Sequence, residues 1–141
     1  MKIAIASDHG GFNLKTKVIE HLKNKYEVVD FGTNSEESCD YPVYANKVVD
    51  AILNQKFDRG ILICGTGIGM AICANRYKGI RASNVSDTYS ARLTRLHNNS
   101  NVLTLGARTL GDGLAMDIID IWLNTDFEGG RHQKRIDMID K

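Results

Sequence analysis

The sequence predicts one α/β domain over residues 1–141, built on a mostly parallel sheet of about five strands. Short apolar runs alternate along the chain with longer amphipathic stretches, which is typical of strands that alternate with helices. The run Arg59–Cys64 is continuously apolar after its first residue, as a central strand covered on both faces requires. No internal repeat or linker interrupts this pattern, so no second domain is expected.

Local signals bound each predicted element. The stretch 11–25 places Leu14, Val18 and Leu22 on one face of a helix, and Pro42 suits the first turn of the next helix. Strands are expected at 2–6, 27–31, 59–64, 80–85 and 101–106. Helices are expected at 11–25, 42–53, 70–75, 87–97, 111–123 and from 130 towards 141.

The composition argues against several classes of function. The formal net charge is +1, so no broad positive field favours nucleic acid or an anionic membrane. Three cysteines without a CxxC pair argue against a disulfide framework or a thiolate zinc site, and free thiols suit a reducing cytoplasm. No segment is long and apolar enough for a signal peptide or a membrane span, so a cytoplasmic location is expected.

Reactive side chains follow two of the predicted strands. Asp8 and His9 come after the first strand, and Cys64 ends the central strand before the glycine loop 65–69. Ligands of open parallel sheets bind at such carboxyl ends. Backbone N–H groups of the loop can hold an anion. The helix start that follows should favour a Cys64 thiolate, which could remove a carbon-bound proton.

Each of these residues also has a purely structural interpretation. Cys64 could be a small buried apolar residue, and the loop could be a tight turn without function. Asp8 could simply cap the first helix, and His9 could be an incidental surface residue. The loop is neither a P-loop nor a dinucleotide fingerprint, because no Gly-Lys-Ser/Thr follows and Met70 replaces the third glycine.

His97 ends the helix that follows the fourth predicted strand. That helix begins at the carboxyl edge of the sheet and runs back for about ten residues, or about 15 Å. His97 should therefore not reach the Cys64 of its own chain, and a site that uses both would need a second subunit. The alternative is a histidine that caps a helix C-terminus.

Three arginines are candidates for a phosphate site. Arg131 and Arg135 lie four residues apart on one face of the last helix, and Arg108 follows the last strand. A guanidinium group offers a rigid fork of donors that suits a phosphate dianion. The alternative for the first two is a solvated basic helix.

Several motifs resemble the ribose-5-phosphate isomerase B and galactose-6-phosphate isomerase family, in order and over nearly the whole chain. They are Ser7-Asp8-His9-Gly10-Gly11-Phe12, Asp40-Tyr41-Pro42, Gly60 to Met70, His97-Asn98, Asn101-Val102-Leu103 and Phe127-Glu128-Gly129-Gly130-Arg131-His132. The resemblance implies a three-layer α/β/α Rossmann-like fold without a cofactor. It also implies active sites between the subunits of a homodimer or homotetramer, with the last helix reaching a neighbouring subunit.

The resemblance implies a role for each matching residue. Cys64 would accept a proton, and His97 would donate one in ring opening. The sugar would be held by Asp8, His9, Gly65, Thr66, Gly67, Ile68, Gly69 and Asn98. Its phosphate or neighbouring oxygens would be bound by Arg108, Arg131 and Arg135. The chain departs from the family pattern at Asn99-Ser100, where Asp-Ala is more usual, and at Ala71, where serine is frequent.

The reaction we expect is the interconversion of ribose 5-phosphate and ribulose 5-phosphate, in the pentose phosphate pathway, through an enediolate. His97 with Asp8 would open the ring, Cys64 would move the proton from C2 to C1, and the loop with Thr66 would stabilise the oxyanion. No metal is expected, because the four histidines and the acids show no ligand spacing. The alternatives are an isomerase of allose 6-phosphate or galactose 6-phosphate, and a binding module for a phosphorylated ligand.

Overall fold

A computed structural model describes residues 1–140, and its five strands form one sheet. They are β1 (Lys2–Ser7), β2 (Glu27–Asp30), β3 (Arg59–Cys64), β4 (Ala82–Asn84) and β5 (Val102–Gly106). All neighbouring strands are parallel, in the order β2-β1-β3-β5-β4. The predicted fold class is confirmed.

Helices cover both faces of this sheet, so the protein has three layers. Within residues 1–140 they are α1 (Phe12–Leu22), α2 (Tyr41–Asn54), α3 (Ile68–Ala74), α4 (Thr88–Asn98), α5 (Asp112–Asn124) and α6 (Arg131–Ile136). One face carries α1, α4 and α5, and the other carries α2 and α3. The short α6 packs against α4. None of these helices is both long and apolar enough to cross a bilayer.

The central strand β3 contributes to two apolar clusters. Ile61 and Ile63 pack in the layer of α1 and α5, whereas Leu62 and Cys64 pack in the layer of α2 and α3. This alternation is that of a strand, and all four side chains are buried. Both faces of β3 are therefore covered, which explains its uninterrupted apolar sequence.

The carboxyl ends of β1 and β3 lie where the strand order of the sheet reverses. β1 pairs with β2 on one side and with β3 on the other. After β1 the chain crosses to β2 at one edge of the sheet, and after β3 it crosses to β4 at the other edge. Ligand sites of doubly wound folds lie at such a reversal of strand order. The residues after Ser7 and after Cys64 are neighbours here, and the Asp8 N–H donates to the Ile63 carbonyl at 3.2 Å.

Several predicted boundaries differ from the structure: α1 ends at Leu22 rather than at 25, and α3 begins at Ile68, within the predicted loop 65–69. A 3-10 turn over His9–Gly11 precedes α1, because Asp8 caps the backbone at that point. The fourth strand is shorter than the predicted 80–85, because it is an edge strand that pairs only with β5. The last helix ends at Ile136, after which the chain turns and Asp140 accepts a hydrogen bond from the Gly79 N–H. Lys141, the predicted end of that helix, lies outside the described residues.

Candidate active site

The sulfur of Cys64 lies directly beneath the glycine loop. Its side chain is only 5% exposed at the end of β3. The Gly67 N–H donates a hydrogen bond to Cys64 Sγ at 3.1 Å. A donor aimed at sulfur stabilises the thiolate more than the thiol, because the negative charge strengthens the hydrogen bond. The Gly67 N–H is therefore positioned to hydrogen-bond the thiolate, which is the reactive form of Cys64.

The loop holds its shape through glycine and through close packing. Gly67 has a φ of 80°, a left-handed conformation that favours glycine. A Cβ at this position would overlap Asn84 Oδ1 and lie 2.9 Å from the Leu105 carbonyl carbon. The loop therefore rests directly on β4 and β5. Thr66 is exposed at its tip and its Oγ1 accepts from the Ile68 N–H at 3.3 Å, so the hydroxyl hydrogen can point outward.

Asp8 and Arg108 meet beside the same loop. Asp8 is buried, and its Oδ1 accepts a hydrogen bond from the Gly11 N–H at 3.2 Å, so it caps the 3-10 turn before α1 rather than α1 itself. A Cβ on Gly10 would lie 3.4 Å from Asp8 Oδ1 and 3.5 Å from both Arg108 Nη2 and the Gly65 nitrogen. These groups converge on Gly10, where the missing side chain leaves room for a ligand.

His9 takes a defined orientation at this edge of the sheet. Its Nδ1 lies 3.3 Å from the Cys39 nitrogen and accepts a hydrogen bond from that N–H. In a neutral imidazole one nitrogen accepts and the other donates. His9 Nε2 therefore carries the hydrogen and can donate to an oxygen. Cys39 was not predicted to take part, yet both its backbone N–H and its Sγ, at 3.9 Å, lie against His9 Nδ1.

His97 and Asn98 lie at the opposite edge of the sheet from Cys64. Both belong to the last turn of α4, which ends three residues before β5 begins at Val102. Val102 pairs with Gly60 at the amino end of β3, whereas Gly106 pairs with Cys64. Four strand residues separate these two levels, which is about 13 Å. The structure thus agrees that His97 does not reach the Cys64 of its own chain.

A second polar cluster surrounds His97 at that edge. The rings of His97 and His132 stack with centroids 4.2 Å apart and planes 14° from parallel. Glu128 Oε1 lies 3.7 Å from His132 Nε2, and the Glu128 N–H donates to the Leu96 carbonyl at 3.1 Å. Burial lowers the pKa of His132 below its ordinary value, and the nearby charges of His97 and Arg131 add to this effect.

The two candidate arginines of α6 lie with this second cluster. Arg131 and Arg135 are exposed on the helix that carries His132. Arg108 lies with the glycine loop instead, so the three predicted phosphate ligands do not meet within one chain. The structure brings together Asp8, His9, loop 65–69, Cys64 and Arg108 at one edge, and His97, Asn98, Arg131 and Arg135 at the other.

Sequence analysis did not single out Glu128 and His132 as site residues. The nitrogen and oxygen ligand atoms of His97, Glu128 and His132 all lie within 4.8 Å of one another, a spacing that suits a metal ion. The four-residue spacing of Glu128 and His132 was an available signal. The contribution of His97 could be found only from the packing of α6 on α4.

Two arginines fix the end of α4 from within. Arg95 is 2% exposed and donates to the Ser100 carbonyl and, at 3.0 Å, to Asn99 Oδ1. Arg81 donates to the carbonyl of Asn98 at 3.0 Å and to that of Asn99. Burial, together with the smaller effect of the nearby Arg59 charge, lowers the pKa of Arg95 to about 10. These hydrogen bonds therefore fix the backbone at the end of α4, which carries His97.

Fold and site define a doubly wound α/β protein with a buried thiol beneath a glycine loop at its switch point, where ligands of such folds bind. The family model described as Ribose/Galactose Isomerase matches residues 3–139. The chain belongs to the ribose/galactose isomerase family, which confirms the resemblance drawn from its motifs.

Three similar proteins show how far this likeness extends. Ribose-5-phosphate isomerase B of Escherichia coli is 50% identical over 98% of this chain and 93% of its own length. A ribose 5-phosphate isomerase structure from Thermotoga maritima is 57% identical with a TM-score of 0.96, covering 99% of this chain and 97% of that one. The Mycoplasma genitalium enzyme with bound ribulose-5-phosphate is 48% identical with a TM-score of 0.93, covering 98% and 93%.

Proposed function

We propose that the protein is an aldose–ketose isomerase that interconverts ribose 5-phosphate and ribulose 5-phosphate. The observation that carries this proposal is the buried Cys64 sulfur at the switch point, with the Gly67 N–H aimed at it and Arg108 beside it. Relatives that match almost the full length bear the name of that enzyme, and one of them holds ribulose-5-phosphate. Membership of the same family supports a shared reaction.

The proton transfer in this proposal belongs to Cys64. Its thiolate takes the proton from C2 of the open-chain aldose, which leaves an enediolate with its negative charge on O1. The proton of the C2 hydroxyl passes to O1, and the Cys64 thiol returns its proton to C1, which gives the ketose and regenerates the thiolate. The negative oxygen of the enediolate would be stabilised by backbone N–H groups of loop 65–69 and by the Thr66 hydroxyl. Such a donor contributes about 3–4 kcal/mol, and a positioned base about 10²–10⁴-fold in rate.

Ring opening in this proposal belongs to His97 of a second subunit. Opening needs one proton on the ring oxygen and the loss of one from the anomeric hydroxyl, which an imidazole with Asp8 can exchange. His97 and Asp8 lie at opposite edges of one sheet, so a single chain supplies half of each site. Two chains related by two-fold symmetry would complete two sites at once. We therefore propose a homodimer, or a homotetramer built from dimers.

An exposed apolar surface beside the glycine loop supports this assembly. Ile68 and Ile72 of α3 are 53% and 56% exposed, and Tyr41 at the start of α2 is 40% exposed. Apolar side chains clustered next to a site are typical of subunit contacts. A partner that covers them would bring its α4 corner and its α6 towards Cys64. Each chain would then contribute its last helix, α6, to the active site of its partner.

The phosphate in this proposal is bound by arginines from both chains. Arg108 lies against Gly10 and Gly65 on the thiol side. Arg131 and Arg135 would come from the partner together with His97, because α6, which carries both arginines, packs against α4, which carries His97. His9 Nε2 would donate to a sugar hydroxyl, and Asn98 would bind another.

A six-carbon substrate is the second candidate. The matching family model covers galactose as well as ribose isomerases, and Ala71 stands where the family often has serine.

The three free cysteines suit the cytoplasm, where ribose and ribulose phosphates belong to the pentose phosphate pathway. We propose that location and pathway for this protein.

One assay tests the function. Purified protein in chelator-treated buffer is offered ribose 5-phosphate, allose 6-phosphate and galactose 6-phosphate separately, and ketose formation is measured. We expect ribose 5-phosphate to give the highest kcat/KM. Cys64→Ala should lose at least about 10²-fold in kcat, whereas Cys73→Ala is the matched thiol control and should keep it. Tight binding without turnover, or full turnover in Cys64→Ala, would contradict the proposal.

A further inference from the structure

The group His97, Glu128 and His132 has a ligand composition that the isomerase reaction does not need. Two imidazoles and one carboxylate are the donor set of many zinc sites. Their ligand atoms lie within 4.8 Å of one another, and they come from the end of α4 and from the segment that leads into α6. No role in proton transfer has been given above to Glu128 or His132.

One nitrogen of this group is buried and has no hydrogen-bond partner among the described residues. His132 is 6% exposed, and its Nε2 is unsatisfied. The nearest acceptor is Glu128 Oε1 at 3.7 Å, which is too long for a hydrogen bond. A buried polar atom without a partner is unusual and points to a species that would complete it.

We propose that His97, Glu128 and His132 form a reversible site for a divalent first-row transition ion of the zinc class. Two nitrogen donors favour zinc, cobalt or nickel over magnesium and calcium, which prefer oxygen. Three protein ligands leave a fourth position open for water or a phosphate oxygen. The site lies on the His97 side of the protein, about one strand length from Cys64.

The resting geometry sets the strength of this site. The two rings are nearly parallel, so one ring must turn before both in-plane lone pairs can meet one ion. His97 is half-buried at the end of α4, whereas His132 is buried, so the more exposed His97 ring is the one expected to turn. The positive charges of Arg131 and Arg135 lie on the same helix as His132 and oppose a second cation. The site is thus weaker than a structural zinc site.

An occupied site would inhibit the isomerase. This consequence depends on the proposed function, in which His97 exchanges protons with the sugar. An ion bound to the His97 ring takes the lone pair that the proton needs. Removal of the ion restores the free imidazole.

Cobalt titration of the full-length protein tests the binding. We expect one Co²⁺ per chain, with a visible spectrum of nitrogen and oxygen ligands and without the intense thiolate-to-cobalt band. Glu128→Gln keeps the side-chain size and should raise the Co²⁺ dissociation constant about tenfold or more. Asp137→Asn is the matched control, because it makes the same charge change on the exposed end of α6. It should leave the dissociation constant within about twofold.

Three outcomes of this titration would overturn the site. They are no stoichiometric binding, a thiolate band that assigns the ion to a cysteine, and equal affinity in Glu128→Gln and wild type. The activity arm is separate: Zn²⁺ should inhibit wild-type turnover, and Glu128→Gln should need about tenfold more Zn²⁺ for half inhibition. Binding without any isomerase activity in the metal-free protein would refute the proposed function and leave the site standing.

Discussion

The backbone N–H of Gly67 donates a 3.1 Å hydrogen bond to the sulfur of Cys64. Gly67 has a φ of 80°, and a Cβ there would overlap Asn84 Oδ1 and crowd the Leu105 backbone. Gly67→Ala is therefore expected to destabilise the protein by about 2–4 kcal/mol, from left-handed strain and overpacking together. It should also lower kcat, because the N–H moves away from the thiolate. Urea unfolding and steady-state rates measure the two effects.

Gly113→Ala is the matched control for that change. Gly113 lies in the first turn of α5, and a Cβ there meets nothing within 4 Å. Alanine should stabilise the helix by about 0.5–1 kcal/mol and leave kcat unchanged. Equal stability changes in the two variants would show that the left-handed turn is not under strain.

Subunit mixing tests whether Cys64 and His97 act across an interface. Cys64→Ala and His97→Asn proteins should each be nearly inactive. After mixing under conditions that exchange subunits, half of the dimers contain one chain of each kind, and each has one intact site of two. About a quarter of wild-type activity should return. A mixture that stays inactive, although mass spectrometry shows exchanged subunits, would place both residues in one chain's site.

Arginine substitutions on α6 test the phosphate site. Arg131→Ala with Arg135→Ala removes charged donors, each worth about 1.5–3 kcal/mol when it bonds an anion. KM for the sugar phosphate should therefore rise about tenfold or more, with a smaller change in kcat. Lys134 lies between the two arginines on the same exposed helix, and Lys134→Ala is the control for the loss of a single positive charge there. A KM unchanged by the double substitution would remove the two arginines from the phosphate site.

The corner after α4 offers a stabilising substitution. Arg95 is buried, its pKa is lowered to about 10, and Asn99 Oδ1 accepts from it at 3.0 Å. Asn99→Asp gives this cation a charged acceptor and should stabilise the protein by about 1–2 kcal/mol at pH 7. Asparagine and aspartate both tolerate the φ of 46° at this position. Thermal unfolding at several pH values measures the gain.

The pH dependence of that gain has a definite sign. A carboxyl beside Arg95 has its folded pKa below the unfolded value of about 3.9. The gain is therefore present above about pH 4 and is lost as the pH falls through the lower folded pKa. Asn34→Asp in an exposed loop is the control and should change stability by less than about 0.5 kcal/mol. A gain that persists at pH 2 would contradict the ion pair.

Local patterns were sufficient to predict the thiol side of the site. The continuous apolar run of β3 marks a doubly covered strand, and parallel strands place their carboxyl ends at one edge. Asp8 and Cys64 could therefore be assigned to the same edge of the sheet without coordinates. The length of α4 was sufficient to predict that His97 lies far from the Cys64 of its own chain, because a helix has a fixed rise per residue.

The second cluster could not be predicted in the same way. His132 contacts His97 only because α6 folds back onto α4, and that packing depends on contacts distant in sequence. The hydrogen bond between the buried Arg95 and Asn99 could not be predicted from the sequence either, because most arginines are exposed and nothing local marks Arg95 as buried. The end of α6 was overestimated because the turn after Ile136 is fixed by Asp140 and Gly79, which no local signal reports.

On the proposed mechanism, the placement of the thiol and the imidazole at opposite ends of the parallel sheet makes the rate per chain depend on protein concentration. No hinge within one chain can bring them together without breaking strands. On the proposed mechanism a subunit freed by dilution is folded but inert, and specific activity should fall once dimers dissociate. Rate per chain as a function of protein concentration thus reports the subunit equilibrium directly.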